Sequence, residues 1–189
     1  QMVTEQNERL SKLVRTLLDM SELQTVARND RIELHSLIEE VLTDLEPLAQ
    51  EKNIELIQNS HRGGEKADEE LFLTGSDILI YRMLYNLVEN AIKYNQKDGT
   101  VTVSAIREKN EVVLTVSDTG NGIDEAFRTQ IFEPFFRIDK SRSRELGGVG
   151  LGLTMVREVV RVHDGTIKVY ANKNKGTTFE VKMRLGAEK

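Results

Sequence analysis

The sequence predicts an α+β fold, in which helices cover one face of a mixed β-sheet. Four segments alternate apolar and polar residues and pair by their spacing into two hairpins: residues 100–106 with 112–118, and 166–171 with 177–185. Helical periodicity falls outside these hairpins, in three segments: residues 36–50, 77–95 and 149–162. Hairpins that stay apart from the helices favour an α+β sheet over a parallel α/β sheet.

The remaining segments are shorter or less regular. Residues 54–58 are predicted to form a short strand, and residues 124–131 a short helix. Residues 59–70 are polar and contain glycine, which is typical of a loop. Residues 132–148 are irregular and rich in Arg.

The helix predicted for residues 36–50 has a start signal in its own sequence. Ser36 is expected to be the N-cap, and Glu39, three residues later, would complete a capping box.

The N-terminal region predicts a further helix. Residues 4–26 contain no Gly or Pro, and apolar residues recur in steps of three and four at Leu10, Leu13, Leu17 and Met20, with Val3 one heptad earlier. This narrow stripe is typical of a helix that pairs with another helix, and equally of an amphipathic helix that lies on its own domain. The polar stretch at residues 27–31 favours a separate element.

The composition excludes several classes of protein. The chain of 189 residues is long enough for one core of ordinary size. Its formal net charge of -5 disfavours a general surface for nucleic acid or anionic membrane. The absence of Cys excludes disulfides and thiolate metal sites, and there is no apolar run of the roughly 18 residues that a membrane span needs. Because the chain begins at Gln1, we expect a soluble piece of a longer protein.

One stripe of the helix predicted for residues 77–95 carries two amides and a cation. Asn86, Asn90 and Lys93 are spaced so that they share a face. Amide oxygens and a cation suit a hard metal and phosphate oxygens, because Mg²⁺ prefers oxygen ligands and shares them with phosphates. The alternative is an ordinary solvated helix face.

The segment DTGNGI, residues 118–123, directly follows a predicted strand. Gly120 and Gly122 would allow a tight turn and a close approach of a flat ligand to the backbone. Asp118 could accept a hydrogen bond from an exocyclic amine such as that of adenine. The alternative is a plain turn, which Asp and Gly favour in any case.

The segment of residues 131–154 combines aromatic, basic and glycine-rich stretches. Its basic residues could reach a polyphosphate: Arg137, Lys140, Arg142 and Arg144. Glycines at positions 147, 148, 150 and 152 end where a helix is predicted to start, and free amides there favour anions. No Lys follows these glycines as in a P-loop, and their spacing does not match a dinucleotide fold. A flexible linker and a solvated basic loop are the alternatives.

Four motifs resemble, in order and spacing, the N, G1, F and G2 boxes of sensor histidine kinases: NLVENAIKYN, DTGNGI, IFEPFFR and GGVGLGLT. These kinases belong to the superfamily shared by gyrase, Hsp90 and MutL. The resemblance covers about residues 32–186, including NKGTTFEV (174–181) as a closing strand. It implies a Bergerat-type two-layer α/β sandwich with left-handed βαβ connections, and ATP or ADP with Mg²⁺ under a lid at about residues 132–148.

The resemblance also implies roles for individual residues. Asn90 would bind Mg²⁺ with support from Asn86, Lys93 would contact phosphate, and Asp118 would take the adenine amine. The remaining implied contacts fall into three groups: Tyr94, Gly120, Gly122, Ile123 and Thr177 at the adenine pocket; Arg137, Lys140 and Arg142 on the lid; and the amides of Gly148, Gly150, Leu151 and Gly152 at the phosphates. No residue of this chain is expected to be catalytic in its own right.

The same resemblance implies a division of the chain. Residues 1–27 resemble the second helix of the dimerisation and phosphoacceptor hairpin, and residues 32–189 the catalytic ATP-binding domain. No His of the chain has the Glu and Pro context of the acceptor: His35, His61 and His163. We therefore expect a piece that binds ATP and does not phosphorylate itself. The implied partners are the missing acceptor helix, a response regulator and, in the full-length protein, a second copy. The implied location is the cytoplasmic portion of a membrane-anchored sensor that reaches the membrane only through missing regions.

One position separates a kinase from a hydrolase within the superfamily. The hydrolases carry a Glu four residues before the Mg²⁺-binding Asn, where it acts as general base for water. Here that position is Asn86, and Glu89 is turned about 100° away on the helix. The sequence therefore favours a histidine kinase module. A superfamily ATPase and a non-catalytic, nucleotide-dependent interaction module are the alternatives.

Overall fold

The computed structural model describes residues 11, 14, 18, 21, 23–59, 70–138, 150–172 and 175–185. The helices are α1 (Leu34–Glu51), α2 (Asp77–Lys93) and α3 (Gly152–Val162), with 3₁₀ turns at Glu125–Phe127 and Gln130–Phe132. The strands are β1 (Asp30–Glu33), β2 (Glu55–Asn59), β3 (Phe72–Gly75), β4 (Thr100–Glu108), β5 (Glu111–Asp118), β6 (Thr166–Ala171) and β7 (Thr177–Arg184).

A five-stranded mixed sheet forms the centre of the fold, with strand order β2-β4-β5-β7-β6. Strand β2 is parallel to β4, and the other neighbours are antiparallel. Strands β1 and β3 form a separate two-stranded antiparallel sheet. The predicted α+β class, the mixed sheet and both predicted hairpins are confirmed.

One face of the sheet is buried and joins the helices in a single core. Alternate residues of the central strands are fully enclosed, among them Val101, Val103, Val116 and Val181. The residues between them, such as Thr102 and Thr115, are only half buried. The alternation places the helices on one face, because residues two apart on a strand point the same way. The adjacent ends of β5 and β7 lie beside the end of α2, which creates the candidate site.

The predicted N-cap of α1 is wrong by three residues. Glu33, not Ser36, is the N-cap, and its carboxylate accepts hydrogen bonds from the amides of His35 (3.2 Å) and Ser36 (2.7 Å). Ser36 lies exposed in the first turn, so the capping box with Glu39 does not form. The earlier start places Leu34 in the core, and that burial outweighs the local preference for Ser as N-cap.

Other predicted boundaries also shift. Helix α2 ends at Lys93, and α3 begins at Gly152 instead of residue 149. The short helix expected at residues 124–131 is a pair of 3₁₀ turns. Strands β1 and β3 were not predicted, and β1 begins inside the stretch interpreted as a polar break. Each is four residues long, too short to show an alternating pattern.

The predicted N-terminal stripe and most of the loop at residues 59–70 lie outside the described residues. Of the four described residues in the N-terminal helix, Val14 and Leu18 are exposed. Leu23 is only 2% exposed and belongs to the same core as the sheet and the helices. None of the helices in the described ranges has the length and apolar character required to cross a membrane.

Candidate nucleotide-binding site

The carboxylate of Asp118 lies at the end of strand β5 and is almost enclosed, since only 9% of the residue is exposed. Its Oδ1 accepts hydrogen bonds from the amides of Gly120 (2.7 Å) and Thr177 (3.2 Å). Burial raises the pKa of Asp118 above its ordinary value, although the two amide hydrogen bonds act to lower it. Neither of these bonds uses Oδ2, so that oxygen can accept from a ligand.

Two glycines let the backbone close tightly around Asp118. A side chain at Gly120 would place its Cβ 2.7 Å from the carbonyl oxygen of Tyr94 and 2.9 Å from Oδ1 of Asp118. Gly176 has φ +96°, and a Cβ there would overlap the carbonyl oxygen of Asp118. The absence of side chains at both positions lets the backbone pack directly around Asp118.

The end of helix α2 lies beside Gly120. Tyr94 follows the helix as its C-cap, and 45% of it is exposed, so its ring is available to a ligand. Asn95 is buried, and its Oδ1 accepts from the Gln96 amide while its Nδ2 donates to the Thr100 carbonyl. Asn95 thereby fastens the helix end to the start of strand β4.

Asn86 and Asn90 lie on α2 where the start of α3 approaches it. The nearest atoms to a Cβ built on Gly152 would be Oδ1 of Asn86 at 2.9 Å and, farther off, Nδ2 of Asn90 at 3.9 Å. The Nδ2 of Asn86 donates to the Arg82 carbonyl (2.8 Å), which fixes the orientation of that amide. The structure therefore brings the two predicted amides together with Gly152, the last glycine of the predicted stretch. Their apolar neighbours on α2 are buried as expected: Leu84, Leu87, Val88 and Ala91.

Lys93 is tied to its own helix. Its Nζ lies 2.7 Å from Oε1 of Glu89, one turn earlier, and both side chains are less than a fifth exposed. A phosphate contact by Lys93 would have to share or displace this ion pair. The same ion pair offsets the charge of Glu89, which is the only carboxylate near Asn90 in the α2 sequence.

Phe135 and Gly150 lie where the predicted lid joins the rest of the domain. The amide of Phe135 donates to the Gly150 carbonyl (2.9 Å), and Gly150 has φ +80° with no room for a side chain. Two residues on, Nη2 of Arg137 is buried without a hydrogen-bond partner, as is the hydroxyl of Thr154 near the start of α3. Unpaired buried donors are rare, and they indicate that a missing acceptor belongs here.

Three predicted site residues lie outside the described part of the chain: Lys140, Arg142 and Gly148. The others are placed around the pocket or its entrance. Leu151 is buried as the N-cap of α3, Thr177 is 3% exposed, and Ile123 packs against the core. Gly122 has φ +79° and lies close to Gly176.

The sequence did not predict roles in the site for Gly176, Asn95 and Asn172. Gly176 was noted only as part of a closing strand, although a Gly directly before an alternating run indicates a turn with positive φ. Asn172 bonds to strand β5, more than 50 residues away, so no local pattern marks it. Asn95 bonds to the nearby Gln96 and Thr100 and lies in the NLVENAIKYN motif, but its role depends on the buried turn that it closes.

The set of donors fits a nucleotide with a divalent cation. The described residues contain no group of three His, Cys, Asp or Glu able to hold a metal. Asn90 offers an amide oxygen that such a cation would take, with further oxygens from the phosphates, because Mg²⁺ prefers oxygen ligands. The orphaned Arg137 donor and the first turn of α3, which has no side-chain cap, suit the phosphates.

Comparison with known families decides the identity of the domain. The family model described as "Histidine kinase-, DNA gyrase B-, and HSP90-like ATPase" matches residues 75–187. The chain belongs to this family. Within it, the chain is 33% identical over 178 residues to the sensor-like histidine kinase SenX3 of Mycobacterium tuberculosis, a match that covers 93% of this chain and 42% of SenX3. The chain thus spans less than half the length of that relative.

Solved structures agree with the family. The catalytic domain of the histidine kinase ThkA superimposes with a TM-score of 0.72 at 26% identity, covering 84% of this chain and 97% of that domain. ThkA in complex with the response regulator TrrA superimposes with a TM-score of 0.76 at 24% identity, covering 98% of this chain and 50% of that one, which supports the fold alone. The predicted resemblance is confirmed: the domain is a protein-histidine kinase catalytic domain of this family.

Proposed function

We propose that the domain binds Mg²⁺·ATP and supplies the γ-phosphoryl group that phosphorylates a histidine in two-component signalling. The observation that carries this proposal is the buried Asp118, whose Oδ1 is held by two amides and whose Oδ2 is left for an adenine amine. The backbone packs closely around this carboxylate at Gly120 and Gly176, and the carbonyl of Tyr94 at the end of α2 lies beside Gly120.

The described residues bind and orient the nucleotide. Asp118 accepts from the adenine amine, and Tyr94 covers the ring from its exposed position. Asn90, supported by Asn86, supplies an amide oxygen to the cation, which when bound neutralises phosphate charge. Arg137, the amides of Gly150 to Gly152 and, on release from Glu89, Lys93 hold the phosphates, because phosphoryl transfer depends on positioning and charge neutralisation.

A kinase fits the site better than a hydrolase. The residue four before Asn90 is Asn86, whose amide is fixed by the Arg82 carbonyl and cannot act as a base. The other nearby acid, Glu89, forms an ion pair with Lys93. Without a general base, water attack is slow and the γ-phosphoryl group remains for a better nucleophile.

The acceptor and the partners come from outside this domain. His163 is engaged through both ring nitrogens, with the Ser76 amide (3.0 Å) and the Val159 carbonyl (2.8 Å), so it is no acceptor. We place the acceptor on the first helix of a dimerisation hairpin whose second helix is residues 1–27, in a homodimeric sensor. The complex of ThkA with TrrA supports a response regulator as the next recipient. The domain would then lie on the cytoplasmic side of a membrane-anchored parent.

The test is to mix this chain with a separately produced dimerisation hairpin that carries an acceptor histidine, and to supply ATP labelled at the γ-phosphate. Label is expected on the hairpin and not on the chain, with little free phosphate. Asn90→Ala should abolish the label, while Asn110→Ala, in the distant β4–β5 turn, should leave it unchanged. Rapid release of phosphate that depends on Asn90 would instead establish an ATPase, and label on the chain itself would reveal another acceptor.

A further inference from the structure

A cluster of three polar side chains lies on the sheet next to Asp118. We call Ser117, Asn172 and Thr178 the Asn172 cluster; they come from the end of β5, the residue after β6 and the start of β7. The Nδ2 of Asn172 donates to Oγ of Ser117 (2.9 Å), and the Thr178 hydroxyl donates to Oδ1 of Asn172 (2.5 Å). The two hydroxyls lie 2.9 Å apart, so the three side chains close a ring.

Asn172 also holds the backbone on both sides of the candidate pocket. Its Nδ2 also donates to the carbonyl of Asp118 (2.7 Å), and the Thr177 carbonyl, farther off at 3.3 Å, shares a hydrogen with one of the two shorter bonds. Its own amide donates to the carbonyl of Gly176 (3.1 Å). One side chain thus joins the last residue of β5 to the first residue of β7, next to the last paired residues of the two strands, Ser117 and Thr178.

We infer that Asn172 is a positioning residue for adenine recognition, a role that rests on the proposed function. The amide of Thr177 donates to Oδ1 of Asp118, and Asn172 holds the carbonyl of that same Thr177. It also holds the backbone carbonyl of Asp118 itself. Asn172 therefore fixes both the donor and the acceptor of the bond that orients the carboxylate.

The orientation of Asp118 decides which base the pocket accepts. Adenine presents an amine donor where guanine presents a carbonyl oxygen, so a fixed carboxylate accepts from the first and repels the second. If Asn172 is lost, the β6–β7 turn moves away from β5 and the carboxylate is free to rotate. Adenine affinity and the preference for ATP over GTP should then fall together, while contacts to the phosphates are unaffected.

The experiment compares this chain with Asn172→Ala and Asn172→Asp, with Asn110→Ala as a matched control. Asn172→Asp keeps the shape and removes both N–H donors. Calorimetric titrations would use adenosine and non-hydrolysable analogues of ATP and GTP with Mg²⁺. Both Asn172 variants should weaken adenosine and the ATP analogue by about the same factor, roughly tenfold for loss of a hydrogen-bonded contact. The preference for the ATP analogue over the GTP analogue should narrow, and Asn110→Ala should match the unsubstituted chain.

A second variant guards against a general loss of structure. Thr178→Val keeps the volume of the side chain, removes its bond to Asn172, and should give a smaller change in the same direction. A lower melting temperature with unchanged affinities and an unchanged preference for the ATP analogue would overturn the inference. Asp118→Asn separates the two proposals: loss of binding there, with wild-type binding in both Asn172 variants, rejects Asn172 and keeps the adenine site. Wild-type binding by Asp118→Asn rejects the adenine site itself.

Discussion

The two ends of the candidate site are built differently. At the adenine end, which we define as Asp118, Gly120, Gly176 and Thr177, every hydrogen bond to Oδ1 is made by backbone, which packs closely around the carboxylate. At the phosphate end, defined as Asn86, Asn90, Lys93, Arg137 and Gly150, a guanidinium nitrogen is buried without a partner. Lys93 there is held by Glu89 rather than left free.

This difference separates selection of the base from assembly of the phosphate site. The proposed adenine end is held by hydrogen bonds within the chain itself, so base recognition there would carry little ordering cost. The proposed phosphate end contains a buried donor without a partner, Nη2 of Arg137, which the polyphosphate would satisfy. Substitutions at each end test this difference.

The largest effect is expected at the adenine end, from Gly176→Ala. The new Cβ would overlap the Asp118 carbonyl in a backbone with φ +96°, so strain and overpacking add. The free energy of unfolding should fall by about 2–5 kcal/mol, measured by urea denaturation. Gly122→Ala is the control, because its φ of +79° is similar while its nearest neighbour would be 3.5 Å away. Its cost should be about 1 kcal/mol, and equal costs for the two variants would show that the close packing does not matter.

A smaller effect, confined to the ligand, is expected for Arg137→Ala. Affinity for the ATP analogue should fall about 10- to 100-fold, since a hydrogen bond to a charged group contributes about 1.5–3 kcal/mol. Adenosine should bind as before, because it has no phosphate. The unfolding free energy should not fall, because the variant removes a buried donor that has no partner. Arg184→Ala, exposed at the end of β7, is the control. An equal loss for adenosine and the ATP analogue would contradict a role for Arg137 at the phosphates.

A still smaller change is expected from Glu89→Gln. Removing the carboxylate frees Lys93 from the ion pair, so the ATP analogue should bind a few-fold more tightly and adenosine equally well. Lys93→Ala should weaken only the ATP analogue. The stability cost should stay near 0.3–0.5 kcal/mol, the value of such a helical pair. Weaker ATP binding by Glu89→Gln would show that the pair positions Lys93 instead of competing for it.

The smallest effect concerns stability against pH. Burial raises the pKa of Asp118 above 3.8 in the folded chain, and the amides of Gly120 and Thr177 partly offset this. As pH rises, the carboxyl of Asp118 therefore loses its proton in the unfolded chain before it does so in the folded chain. The contribution of Asp118 to stability falls as pH rises from 3.8 through the raised pKa and then levels off. Asp118→Asn lacks this loss and can still accept from both amides. Its melting temperature should rise relative to that of the wild type across that pH window. A difference in melting temperature that stays constant with pH would contradict a raised pKa of Asp118.

Local patterns predicted most of the fold and little of what fixes the site. Alternation along β5 and β7 and the apolar stripe on α2 were sufficient, because each is a property of neighbouring residues. The N-cap was misplaced at Ser36, since the choice of Glu33 depends on the burial of Leu34 in the assembled core.

The site residues divide in the same way. Asp118 and the two asparagines were found from the sequence because each lies in a compact motif, and their nucleotide contacts remain predictions. Asn172 and Gly176 were missed, since their roles come from strands paired across more than 50 residues. Their chemistry becomes visible only when β6, β7 and β5 are side by side.

A pair of calorimetric titrations tests directly whether Asp118 recognises adenine. Adenosine and a non-hydrolysable Mg²⁺·ATP analogue are each titrated into the wild type and into Asp118→Asn. The preformed adenine end predicts that the wild type binds both ligands and that the variant loses about 10- to 100-fold for each, the value of one charged hydrogen bond. Undiminished binding of adenosine and the ATP analogue by folded Asp118→Asn would contradict the assignment of the adenine end to Asp118.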